Sequence, residues 1–174
     1  PHYKIEKLII QYGFDYVFLR PSYFMQNLTT TLLKDIETKR AIALPAANTL
    51  FNWVDVHDIA EVAAVMLSSF EVYKNESYEI TGPENASFQD VVNRINDKLN
   101  TPIKYLPTNP LWFFIQKRKE GLPTSKIIVL ILLHFLPRFQ KPPQISHIYH
   151  QITGKEPTSL NTFIAQNHDL WEMN

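Results

Sequence analysis

The chain has 174 residues, 45% of them apolar and 20% charged, with 17 basic and 17 acidic side chains and no cysteine. That size and apolar content describe a folded domain, or a large part of one, and exclude a disordered chain. A formal net charge of zero gives no field favouring nucleic acid or an anionic membrane, and the missing cysteine rules out disulfides and thiolate chemistry.

In chain order, Ile5, Leu8, Ile9 and Tyr12 recur at helical spacing up to Gly13. Phe14 to Leu19 is a short run dense in β-formers, which predicts a strand buried on both faces. Pro21 has no N–H for a ladder and should end it. The polar and aromatic turn Ser22–Asn27 leads into a helix with Phe24, Leu28, Leu32 and Ile36 on one face. Ala41–Leu44 and Leu50–Val56 read as extended segments. Asp55 and Asp58 then start a helix whose apolar positions are Ile59, Val62, Ala63, Met66, Leu67 and Phe70. Ser77–Thr81 is a strand broken by Gly82-Pro83. Ser87 and Asp90 form a capping box on a helix that buries Phe88, Val91, Val92, Ile95 and Leu99. Ile103–Leu106 is the last strand, ended by Pro107.

About four strands alternating with helices predict an α/β fold with βαβ units and a parallel sheet. Beyond Pro107 only helices are predicted. Asn109-Pro110 opens Leu111–Lys119. The apolar run Ile127–Leu136 is about half the length a membrane span needs, so a buried or dimer-facing helix is expected there. Pro137–Pro143 reads as a linker. Ile145, Ile148, Tyr149 and Ile152 form a stripe closed by Gly154, and Thr158 or Ser159 caps a helix carrying Leu160, Phe163 and Ile164. The division is therefore an α/β domain at 1–107 and a helical substrate-pocket subdomain at 108–174.

In open α/β sheets ligands bind beyond the carboxyl ends of strands, which points to the turn after Pro21. The usual companion, a Gly-x-Gly-x-x-Gly turn for a dinucleotide pyrophosphate, is missing; the four glycines are at 13, 82, 121 and 154.

Four blocks carry a resemblance. Glu6 precedes Phe14-Asp-Tyr-Val-Phe-Leu-Arg-Pro-Ser-Tyr-Phe-Met-Gln-Asn27; Asn52-Trp-Val-Asp-Val-His-Asp-Ile-Ala, Tyr78-Glu-Ile-Thr-Gly-Pro-Glu and Ile152-Thr-Gly-Lys-Glu-Pro-Thr-Ser-Leu follow in order. Together they resemble the NmrA-like family, the atypical short-chain dehydrogenases. The resemblance implies a Rossmann-type fold that binds NAD or NADP, followed by an α-helical substrate subdomain. It also implies that this chain corresponds to the family's C-terminal half, with the glycine motif and a partial sheet's first strands lying before Pro1. The function implied is the substrate-pocket part of an NAD(P)-dependent oxidoreductase, cytoplasmic, acting by hydride transfer to a small organic acceptor. The alternatives are a non-catalytic NAD(P)-sensing regulator and a truncated remnant without activity.

Site residues follow from the same match. Pro21, Ser22, Tyr23 and Phe24 correspond to the nicotinamide-pocket wall; the bland alternative is a strand terminator followed by core aromatics. Asn27 is a substrate or cofactor contact, or else pins the turn, and Trp112 is a candidate substrate contact or pocket wall. His2 stands where other short-chain dehydrogenases have a catalytic lysine, and can donate to a ribose or relay a proton. Asp55 and Asp58 look like an acid–base pair, but helix capping accounts for both. His147 and His150 lack a third ligand, so no metal is expected; His57, His134 and His168 show no partner. The expected partners are a small-molecule substrate and either a second copy or the missing N-terminal half, with no nucleic acid and no membrane.

Overall fold

The structure is a computed structural model that describes residues 2–98 and 102–172. Pro1 and the predicted core position Leu99 lie outside the described residues.

Helix α1 (His2–Gln11) carries the predicted stripe but has no buried residue; Ile5 and Leu8 are about half exposed. Strand β1 (Val17–Pro21) starts three residues later than predicted and is half-buried, with Arg20 exposed. It lies parallel to β5 (Glu76–Ile80), Pro21 facing Ile80. Pro21 cannot extend the ladder, and the Ser22 N–H donates to the Ile80 carbonyl at 3.0 Å. The chain then bends into a second short strand, β2 (Tyr23–Phe24), where a turn is expected from the sequence.

β2 pairs in parallel with β4 (Phe51–Val54), and β4 pairs antiparallel with β6 (Asn85–Ala86). β3 (Ala41–Leu44) lies parallel to β7 (Lys104–Pro107). The parallel α/β pattern is present, but as three small sheets in place of one. One contributor is the bend at Pro21-Ser22, which hands the extended chain from one neighbour to another.

After a 3-10 turn at Met25–Asn27, α2 is confined to Leu33–Lys39. Leu28, Leu32 and Ile36 are buried as the pattern requires, while Phe24 is exposed. Helix α3 (Val56–Ser68) buries Val62 and Met66 but leaves Leu67 exposed; Phe70 falls in the separate turn α4 (Phe70–Tyr73). Helix α5 (Phe88–Asn96) opens on the predicted capping box, with both reciprocal bonds made. Helix α6 (Pro110–Lys119) is capped by Asn109, and α7 (Thr124–Phe135) contains most of the apolar run. A 3-10 turn at Leu136–Phe139 leads toward α8 (Ile148–Thr153), which Gly154 ends in the left-handed region at φ 71°. Ser159 caps α9 (Leu160–Gln166), and α10 (His168–Trp171) follows.

The late helices fold back on the early chain. Leu160, Phe163, Ile164 and Trp171 join Met25, Ile36, Trp53 and Phe88 in the main core, and Tyr149 packs with Val54, Val62, Met66 and Ile80 in a second. The apolar helix α7 buries Ile127 and His134 and leaves Ile128, Val129, Leu132 and Leu133 about half exposed. No helix among the described residues is long and apolar enough to cross a membrane.

Candidate functional site

The carboxyl end of β1 opens on a cavity of about 270 Å³ that Pro21, Ser22 and Tyr23 line together with Phe51, Asn52 and the linker residue Lys141. Three of the four predicted cofactor-side residues therefore share one wall. Phe24 points elsewhere, into a groove of about 840 Å³ between α1 and β1, where it meets His2, Glu6 and Arg20; Pro21 borders both spaces. Arg20 grips Glu6 through Nε and Nη2 at 3.2 and 2.6 Å, and this contact holds the Glu6 carboxyl below the usual range.

Asn27 lines a third cavity of about 340 Å³ with Tyr23 and His134. Trp112 is exposed on α6 and lines none of these three spaces. The structure thus groups Pro21, Ser22, Tyr23 and Asn27 around Tyr23, sets His2 and Phe24 on the far side of Pro21, and leaves Trp112 apart.

Tyr23 is the hinge of the arrangement because it borders both inner cavities. Its ring packs edge-on against Trp53 and Phe88, and its hydroxyl lies 3.0 Å from His134 Nε2. His134 Nδ1 is 2.7 Å from the Leu130 carbonyl, one turn earlier in α7. A carbonyl only accepts, so Nδ1 carries the proton and Nε2 accepts from the tyrosine. His134 is almost fully buried, and that burial pushes its pKa down to about 4, leaving it neutral at pH 7. Burial raises the Tyr23 pKa, against the pull of a hydrogen bond with the Asn27 side chain. Asn27, Tyr23 and His134 form one uncharged hydrogen-bonded chain at the base of the cavity.

His134 corrects the sequence-based expectation that it has no partner. Its partner is 111 positions away, beyond any local pattern. The available signal was a single imidazole inside an apolar helix, because a buried polar group needs a hydrogen-bond partner.

At the other end of this cavity are five charged side chains, Lys34, Asp35, Lys117, Glu120 and Lys126. Lys117 Nζ reaches Asp35 at 2.6 Å and Glu120 at 2.8 Å. Lys39 reaches Asp35 at 2.8 Å and also bonds Glu120. For the Asp35 carboxyl burial works upward, but the two ammonium groups prevail and hold it low.

The remaining candidates have structural partners. Asp55 caps α3, its Oδ1 accepting from the His57 N–H at 2.7 Å and from Gln26 at 3.0 Å. Asp58 is not a cap of its own helix. It accepts from the Thr158 N–H at 2.7 Å and hydroxyl at 2.9 Å, tying the C-terminal segment to α3. Burial still raises the Asp58 pKa above its ordinary value. His150 meets Glu156 at 3.0 Å, and His168 approaches the Lys98 carbonyl at 3.3 Å. Among the described residues no group of three or more His, Cys, Asp or Glu side chains stands together to hold a metal.

A dinucleotide needs two things from a protein: a pocket wall for the nicotinamide and backbone N–H groups for the pyrophosphate. Pro21, Ser22 and Tyr23 fit the first. The glycines do not supply the second, since Gly13, Gly121 and Gly154 sit in isolated left-handed turns and the Gly82 N–H is already bonded to Asn52 Oδ1 at 2.8 Å.

The chain resembles known proteins both in sequence and in fold. The chain is 25% identical over 166 residues to the prestalk A differentiation protein A of Dictyostelium discoideum, covering 95% of this chain and 55% of that protein. It is 24% identical over 164 residues to agroclavine dehydrogenase of Claviceps fusiformis, covering 92% and 56%. Its fold matches the crystal structure of an NADPH-dependent quinone oxidoreductase from Escherichia coli with a TM-score of 0.84 at 16% identity, covering 95% and 59%. The chain spans about half the length of the curated relatives it matches. Residues 2–114 match the NmrA-like family, and the chain belongs to that family.

Proposed function

We propose that this chain is the substrate-side half of an NAD(P)-dependent oxidoreductase. The observation that carries this is the cavity at the end of β1, where Pro21, Ser22 and Tyr23 form a wall, while none of the four glycines offers a pyrophosphate cradle. The names of proteins it is similar to, agroclavine dehydrogenase in sequence and an NADPH-dependent quinone oxidoreductase in fold, support it. When bound, NAD or NADP supplies the hydride chemistry. The chain's own residues then orient and enclose. Pro21 and Tyr23 give an apolar wall, and the Ser22 hydroxyl, which makes no hydrogen bond among the described residues, is free to donate to the ring's substituent. His2 faces the same strand end across Pro21 and is the candidate proton relay. The α/β portion at 1–107 carries the dinucleotide side, and 108–174 shapes the acceptor pocket.

The test is to compare this chain with a longer protein that includes the sequence preceding it in its gene. The longer protein is expected to bind NADPH and oxidise it with a quinone acceptor. This chain alone is expected to bind NADPH more weakly than about 10 µM, the level that corresponds to roughly 7 kcal/mol. Tight binding by this chain alone overturns the half-site, and a longer protein that does not bind NADPH overturns the oxidoreductase assignment. Tight binding without turnover favours a dinucleotide-sensing regulator, for which the exposed apolar residues of α7 are the supporting observation.

A further inference from the structure

The cavity behind Tyr23 is built unlike the one at the strand end. At its base stand only neutral polar groups, the linked Asn27, Tyr23 and His134. Its walls are apolar, from Leu44, Phe113, Leu130 and Leu133. Its volume of about 340 Å³ falls at the small end of the range for small-molecule sites.

Charge at the mouth is not balanced. Asp35 and Glu120 are each bonded by both Lys39 and Lys117, so two anions meet two cations and cancel. Lys34 and Lys126 also line this mouth, both exposed, and neither has an ion-pair partner among the described residues. Two lysines without an ion-pair partner among the described residues thus line one opening, in a chain whose formal net charge is zero. Lysine is a compact point charge on a flexible stem, suited to a single anionic group at varying reach.

We infer that this cavity binds a small amphipathic organic anion, an apolar ring system with a carboxylate held by Lys34 and Lys126 at the mouth and a hydroxyl group meeting Asn27 and Tyr23 at the base, where the Tyr23 oxygen can accept from it. That such a molecule is the hydride acceptor rests on the reductase function proposed above; that it binds does not. The uncharged base selects for a neutral polar end, because a second charge placed there has no counter-charge to meet. Tyr23 is the one polar side chain lining both this space and the strand-end cavity, so a ligand seated here shares a wall residue with the predicted nicotinamide pocket.

The experiment is a fluorescence titration of the chain with 6-hydroxynaphthalene-2-carboxylate and its neutral twin, 6-hydroxynaphthalene-2-carboxamide, at low salt and with no dinucleotide. The carboxylate is expected to bind with one-to-one stoichiometry and at least ten-fold more tightly. The double variant Lys34→Met/Lys126→Met, whose changes are on exposed side chains, should fold as the parent does by circular dichroism and lose that preference. Thr31→Trp, at an exposed lining position, should block both probes. Equal affinity for the twins, a preference that survives in the lysine variant, no binding of either at millimolar concentration, or binding untouched by Thr31→Trp each overturns the proposal. Because dinucleotide is absent, failure here leaves the NADPH test standing, and failure of the NADPH test leaves this binding result standing.

Discussion

Two regions of this molecule treat polar groups in opposite ways. Around Gly82, polar groups that burial would leave stranded are locked to fixed partners in the chain. The Asn52 side chain accepts from the Gly82 N–H at 2.8 Å and donates toward the carbonyls of Gly82 and Glu84 and the side chain of Asn85, at 3.1, 3.2 and 3.1 Å. Glu84 is gripped by Arg94 through both oxygens, and Thr158 fastens to Asp58 nearby. The cavity behind Tyr23 instead keeps two lysines without ion partners and a neutral histidine under a tyrosine. Three of the four family blocks fall in or beside the fastened region; what distinguishes the cavity lies largely outside them. A signature in the sequence here marks where the backbone has no tolerance, and the cavity keeps side chains that are not tied to partners in the chain.

The sharpest way to break the fastened region is Gly82→Ala. A Cβ at this position would stand 1.6 Å from the Trp53 carbonyl oxygen and 2.7 Å from its carbon, both backbone atoms. The Trp53 peptide and the backbone at position 82 cannot both stay in place, and a loss of about 4 kcal/mol or more is expected, seen as failure to accumulate folded protein or as collapse of the urea midpoint. Asn52→Ala comes next. It removes four hydrogen bonds and leaves a buried N–H unpaired, for an expected loss of about 3 kcal/mol by urea denaturation. A loss below about 1 kcal/mol would mean that water replaces the amide and the region is not closed.

This contrast also explains what the sequence made legible. The capping box at Ser87, the Asn109-Pro110 helix start and the Gly154 stop were readable because each is settled within four residues, by a side chain reaching its own backbone or by a left-handed turn. The strand end at Pro21 was readable for the same kind of reason. The division into three small sheets was not, since it depends on which neighbour Tyr23 and Phe24 meet after the bend. The strand Asn85–Ala86 is too short to have a period. Asp58 resembled a cap in sequence because its true partner, Thr158, is 100 positions away. The exposure of α1 and of one side of α7 is equally hidden, because periodicity shows that a face is apolar and not what covers it.

The cavity can be probed through acid. His134 titrates at about 4 in the folded chain, against an ordinary value near 6.5. Above about pH 6.5 neither state is protonated there and its contribution is constant. As pH falls from 6.5 toward 4 the unfolded chain takes up a proton that the folded chain refuses, so stability drops with falling pH. The drop sums to about 3 kcal/mol across that window and is complete below the folded value. His134→Gln keeps a polar side chain without that proton. The stability difference between parent and variant, followed by urea melts from pH 7 to 4, should therefore shift by about that amount in the variant's favour. A pH-independent difference would place His134 in contact with solvent and dissolve the distinction between the two regions.

The smallest expected effect falls on the hydroxyl that joins the two cavities. Tyr23→Phe keeps the ring against Trp53 and Phe88 and removes one donor, which leaves His134 Nε2 and the Asn27 amide without their partner. The expected cost is about 1 kcal/mol, less than for Asn52 because one neutral hydrogen bond is lost and the cavity can admit water. Stability alone does not distinguish this from ordinary packing loss, so the second measurement is the His134 titration followed by the NMR shift of its Cε1 proton. The tyrosine donates only to the neutral imidazole, so without it the neutral form is less favoured and the pKa should rise from about 4 toward its ordinary value. Burial is the main cause of the depression, so most of the shift should remain. An unchanged titration in Tyr23→Phe would show that the hydroxyl does not donate to Nε2 and that Tyr23 acts as a wall between the cavities and nothing more.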